Sequence, residues 1–110
     1  MGDHVGRWVG AATLDEVWEG ELVTVSVGAF DVLLCSIDGE VFAYEDRCPH
    51  LGNPLSKGAL DAQVLKCAAH EWAFDVRTGH GVNPAAACLR RFPVRIDGNA
   101  IFVYPDRSDR

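Results

Sequence analysis

Residues Lys66–Trp72 read KCAAHEW, a stretch in which Cys67 and His70 stand three positions apart. Such a pair can hold a metal, act as nucleophile and base, or simply pack. A second pair bears on the choice: RCPH (Arg47–His50) sets Cys48 two positions before His50, and sixteen residues, Leu51–Lys66, separate the two pairs. A nucleophile–base reading of Cys67 and His70 leaves Cys48 and His50 without a purpose. Two loops that each offer one thiolate and one imidazole can instead converge on a single metal centre.

The flanking sequence shows how two loops could be brought together. LVTVSV (Leu22–Val27) alternates as a half-buried strand does, and FDVLLCSI (Phe30–Ile37) runs into Asp38–Gly39, a hairpin turn signal, before VFAYE (Val41–Glu45). FPVRI (Phe92–Ile96) and AIFVY (Ala100–Tyr104) flank Asp97–Gly98–Asn99 as a second hairpin. QVLKC (Gln63–Cys67) and WAFDV (Trp72–Val76) make a third, with CAAHE in its bend. DRCPHLGNPLSKG (Asp46–Gly58) carries two prolines and two glycines and reads as a structured loop rather than a strand. TLDEVWEG (Thr13–Gly20) has a capping-box pattern over one or two helical turns. The reading is an all-β chain of short antiparallel strands forming a sandwich or barrel.

Cys48, His50, Cys67 and His70 fit two metal chemistries. A mononuclear zinc site would take all four tetrahedrally. A binuclear [2Fe–2S] centre would place two cysteines on one iron and two histidines on the other. Common zinc modules pair Cys with Cys and His with His, whereas here each loop mixes the two, so each could give one ligand to each iron. The spacing favours the cluster and leaves zinc open.

CPHLG followed by CAAHEWAFDVRTG, with DGEVFAYEDRCPH before and RRFPVRIDGNAIFVY after, closely resembles the Rieske iron–sulfur family over nearly the whole chain. That resemblance implies a Rieske fold, an antiparallel β-sandwich base with a small cluster-binding subdomain at approximately 46–80 of a single domain covering 1–110. It implies one [2Fe–2S] cluster, with Cys48 and Cys67 on the inner iron and His50 and His70 on the outer, their rings reaching the surface. Respiratory members of the family place an extra cysteine in each loop and join the two. The matching positions here are Asn53 and Ala69, so that disulfide cannot form. Those members also set Ser and Tyr hydroxyls against the cluster where this chain has Trp72 and Phe74. Fewer hydrogen bonds to the sulfurs imply a low potential, roughly −150 mV rather than about +300 mV.

TGHGVNP (Thr78–Pro84) and CLRRFPV (Cys88–Val94) are similar to the ferredoxin component of bacterial multicomponent diiron monooxygenases of the toluene and alkene type. This implies a non-enzymatic carrier in aromatic hydrocarbon catabolism. It would take single electrons from an NADH-dependent flavin/iron–sulfur reductase to a diiron hydroxylase by transient docking. The alternatives are the ferredoxin of an aromatic ring-hydroxylating dioxygenase and, in another class, a zinc-stabilised non-redox binding module.

The composition reads as that of an ordinary soluble globular protein. The 110 residues carry a net charge of −6 and 48% apolar residues, with no cluster of cations and aromatics of the kind nucleic acids require. The opening MGDHVGRWVG lacks the apolar core of a signal peptide, and no apolar run reaches ~20 residues. A cytoplasmic monomer is expected. Cys35 and Cys88 read as packing residues and Trp8 and Trp18 as core or edge packing, while a loop histidine such as His80 carries no assigned chemistry.

Overall fold

The computed structural model describes residues 8–28, 30–48, 54–67, 72–83 and 87–105. Eleven strands occur among them, in three sheets. The first sheet has the order β1-β11-β10, formed by Val9–Thr13, Ala100–Val103 and Val94–Asp97. The second has the order β2-β3-β4-β9, formed by Leu22–Val27, Phe30–Ile37, Glu40–Glu45 and Arg91–Phe92. The third has the order β5-β6-β7-β8, formed by Ala59–Asp61, Val64–Lys66, Ala73–Asp75 and Gly81–Asn83. All of the strand pairings within these sheets are antiparallel, so the all-β expectation holds.

The central strand β3 organises the interior. Every residue from Val32 to Ile37 is buried, which a strand achieves only when both its faces are covered. Side chains alternate along a strand, and here the alternation sorts them into two cores. Val32 and Leu34 face one with Val27, Ala43, Phe92, Ile101 and Val103, contributed by the first two sheets. Leu33, Cys35 and Ile37 face the other with Phe42, Tyr44, Leu55, Leu65 and Phe74, which joins the second sheet to the third. The apolar run that reads as a single strand in the sequence therefore serves as the wall between two layers.

The β3–β4 hairpin closes at Asp38–Gly39 with φ of 53° and 83°. Positive φ at both central residues is the type I′ geometry that Asp-Gly favours, and it sets the register Ile37↔Glu40. The β10–β11 hairpin forms as its sequence predicts, with Asp97 opposite Ala100. The helical segment takes the short end of the one or two turns expected, and its capping box forms. It is a single 3-10 turn at Leu14–Glu16, where the Thr13 amide donates to Glu16 Oε1 at 2.9 Å, after which buried Val17 pulls the chain inward.

One expectation is overturned. Trp18 does not pack in the core or along an edge: it is 66% exposed, its indole held by an Nε1–H bond to the Asp15 carbonyl at 2.6 Å. Val17, next to it, takes the inward position, and in this extended segment the neighbouring side chain must point out. Trp8 does pack, edge-on against Tyr104 with ring centroids 5.3 Å apart.

Candidate metal centre

The third hairpin forms where the sequence places it. Lys66 pairs with Ala73, and the Cys67 amide donates to the Trp72 carbonyl at 2.9 Å, carrying the ladder one pair further. Cys67 thus stands at the last described rung before residues 68–71, which contain His70 and lie outside the described residues. Two strands that the sequence did not announce, β5 and β8, flank this hairpin and complete its sheet.

Cys48 follows β4 by three residues. Its segment is fixed at the neck: the Asp46 amide donates to the Asp31 carbonyl at 2.8 Å and the Arg47 amide to the Glu45 carbonyl at 2.7 Å. The Asp46 carboxylate then reaches across to where the chain returns. It accepts from the Ser56 amide at 2.8 Å, the Ser56 hydroxyl at 2.7 Å and the Thr24 hydroxyl at 3.0 Å. Hydrogen bonds to a charged acceptor contribute about 1.5–3 kcal/mol each when shielded from water. Asp46 therefore ties the entry of the first loop to its exit and to β2. Residues 49–53, with His50, lie outside the described residues.

Where the returning chain leaves this loop, Gly58 passes against β6. A side-chain carbon at Gly58 would overlap the carbonyl oxygen of Lys66, the residue immediately before Cys67. The first loop and the strand leading into the second are thus in backbone contact. Cys48 and Cys67 are both buried and belong to one apolar cluster, together with Leu55, Leu65 and Phe74, with Trp72 packed against it. The third sheet is braced to the second by the buried Tyr44 hydroxyl, which donates to the Val76 carbonyl at 2.6 Å. Arg77 adds an outer brace, its guanidinium spanning Asp38 and Glu40 at 2.8 Å each.

The four cysteines now separate by setting. Cys35 lies mid-strand, paired across to Leu22 and Phe42, and burial pushes its thiol up to about 12, so it stays protonated and packs. Cys88 is a free thiol, half-buried, opposite His80 in a short antiparallel bridge. Cys48 and Cys67 share the apolar cluster that Cys35 also lines, and they alone are each followed in sequence by a histidine two or three positions on. A cysteine that ligates a cluster must be a thiolate. The donor set fits an iron–sulfur centre.

The Rieske [2Fe-2S] domain model matches residues 7–93. The chain belongs to the Rieske [2Fe–2S] domain family. A [2Fe–2S] cluster is accordingly its cofactor. The Rieske chain is 39% identical to the alkene monooxygenase system ferredoxin component of Xanthobacter autotrophicus (strain ATCC BAA-1158 / Py2), over 88% of this chain and 80% of that one. It is 40% identical to the biphenyl dioxygenase ferredoxin subunit of Pseudomonas sp. (strain KKS102), over 89% and 92% respectively. Its backbone is similar to that of the ferredoxin of carbazole 1,9a-dioxygenase from Nocardioides aromaticivorans IC177, with a TM-score of 0.80 and 30% identity over 87% of this chain and 95% of that one.

Asp46, Gly58 and Tyr44 are the supporting residues of this Rieske domain that motif reading passed over. Ten positions separate Asp46 from Ser56 and thirty-two separate Tyr44 from Val76, and no local periodicity signals bonds of that reach. Gly58 lay within a loop already rich in turn residues, where one more glycine carries no distinct signal.

Proposed function

We propose that the chain is a ferredoxin carrying single electrons between a reductase and an oxygenase component. Cys48 and Cys67 would hold the inner iron of the cluster, and His50 and His70 the outer. The observation that carries this reading is the convergence of Cys48 and Cys67 on one apolar cluster through two loops in backbone contact at Gly58 and Lys66. When bound, the cluster supplies a one-electron couple. The chain's own contribution is to hold the two loops together through Asp46 and Gly58 and to shield the inner side with Leu55, Leu65 and Phe74. Phe74 is fully buried and brings no hydroxyl, which supports a potential at the low end of the Rieske range, roughly −150 mV.

The segment at approximately 46–80 would act as the cluster-binding subdomain of a single domain at 1–110, a reading supported by the separate sheet β5–β8. No described helix is long and apolar enough to cross a membrane, and we read the chain as a cytoplasmic monomer that docks transiently. It would not itself be an enzyme: the solved relatives include a complex of reduced oxygenase and oxidised ferredoxin in carbazole 1,9a-dioxygenase, in which oxygenase and ferredoxin are distinct components.

The donor would be an NADH-dependent flavin/iron–sulfur reductase and the acceptor the diiron hydroxylase of a multicomponent monooxygenase, on the strength of the alkene monooxygenase relative. The 40% identity to a biphenyl dioxygenase subunit favours a second reading, service to a ring-hydroxylating dioxygenase. The two are separated by reconstitution with NADH, reductase and either oxygenase. We expect turnover by the diiron hydroxylase to depend on this chain. Turnover by the dioxygenase alone would establish the second reading instead.

A further inference from the structure

The sixteen acids of the chain are unevenly placed. From Trp8 to Asp46 the sequence contains nine acidic residues and no Lys or Arg. Asp15, Glu19, Glu21, Asp31, Asp38 and Glu40 in that stretch are exposed; Asp38 and Glu40 are paired with Arg77, and the other four, which form no ion pair with another described residue, make this part of the base negative. The first cation after Trp8 is Arg47, directly before Cys48; the next two are Lys57 and Lys66, the latter directly before Cys67. All three are exposed, and none forms an ion pair with another described residue.

The structure brings these three together. Arg47 adjoins Asp46, whose carboxylate binds Ser56, and Lys57 adjoins Ser56. Lys57 in turn adjoins Gly58, which abuts the Lys66 carbonyl. Two close contacts thus place Arg47, Lys57 and Lys66 around the common neck of the two ligand loops. Asp46, the acid that binds across this neck, has its oxygens engaged by three donors, and Glu45 beside it faces Arg90. Asp61 lies at the far end of the β5–β6 hairpin, opposite Val64 rather than Lys66.

We infer that Arg47, Lys57 and Lys66 form a cationic collar on which a redox partner protein docks through a carboxylate-lined rim. The inference rests on the carrier reading above and adds the sign of the contact. A chain with net charge −6 is expected to meet basic partners. This one instead turns a positive ring toward whatever approaches the cluster loops, and its acidic base repels the same carboxylate-lined partner from the wrong side. Complementary charge of this kind chiefly raises the association rate and orients the encounter, by 10- to 10³-fold at low salt, and fades as salt screens it.

Protein-film voltammetry tests this with surfaces of defined charge. The holoprotein is compared with the triple variant R47E/K57E/K66E on carboxylate-terminated and on amine-terminated gold monolayers at low ionic strength. We expect the native protein to exchange electrons faster on the carboxylate surface, by about tenfold or more over the triple variant. High salt should erase that difference, and R47Q/K57Q/K66Q should fall between the two. Retained visible absorption in each variant shows the cluster is still held. Equal rates for native and triple variant on carboxylate, or a native preference for the amine surface, would overturn the collar. A native protein silent on both surfaces would overturn the carrier reading itself.

Discussion

Cys67→Ala is expected to give a colourless protein. Cys48 and Cys67 are buried in one apolar cluster, each two or three positions before a histidine, and removing the thiolate that Cys67 would supply would leave the inner iron incompletely bound. The loss in metal affinity should exceed the 10- to 100-fold that follows removal of a mere outer-shell partner. The apo chain should also melt earlier. Among the described residues, the Asp46–Ser56 bonds close the first loop and the Gly58–Lys66 approach joins it to the second; a bound centre would add to these, and a domain of this size gains materially from one. Cys35→Ala provides the contrast. Its thiol packs mid-strand and burial keeps it protonated, so that variant should lose some stability and keep its colour. Iron analysis and the visible spectrum of both variants check the assignment. A red-brown Cys67→Ala protein with full iron would refute it.

Gly58→Ala should be nearly as damaging, although the change adds one methyl group on a surface turn. The new carbon would collide with the Lys66 carbonyl oxygen, and the Leu55 carbonyl lies close on another side. Neither neighbour is a flexible side chain that can swing away. Relief requires the returning chain to lift off β6, which pulls on the Asp46–Ser56 contact at one end and on the Ala59↔Lys66 pairing at the other. Overpacking of this kind costs about 1–3 kcal/mol, and the fixed backbone partners here put the expectation at the upper end. Denaturant unfolding of the holoprotein measures the loss, and cluster content after purification reports the separation of the loops. An alanine variant matching the native midpoint and iron content would show that the close approach is dispensable.

The fold was legible where residue pattern alone fixes geometry. Asp38–Gly39 specified a type I′ turn, and with it the β3–β4 register. The alternation in Leu22–Val27 and the apolar run Phe30–Ile37 gave both strands their observed limits. What the run could not disclose is that Leu33 and Leu34 serve different cores, because a strand buried on both faces has no polar phase to read. The short strands β5 and β8 were missed for a related reason: three residues each, they are held by pairing with β6 and β7 rather than by their own pattern. Trp18 misled because an aromatic residue next to a buried valine reads as core, while the chain there can turn only one of the two inward. At the candidate site, the Cys–His pairs that begin at Cys48 and Cys67 were legible from spacing. The neck that joins their loops was not, since Asp46 and Gly58 act through contacts with residues ten and eight positions away.

The central claim is that this chain holds a [2Fe–2S] cluster through two cysteines and two histidines and cycles it by one electron. Reductive titration of the holoprotein, followed by visible absorption and by pulsed electron paramagnetic resonance of the reduced form, tests it most directly. The account predicts two irons per chain, uptake of a single electron with bleaching of the visible bands, and magnetic couplings from two imidazole nitrogens. A colourless preparation carrying one zinc and taking up no electron would contradict it, as would a reducible cluster without nitrogen coupling.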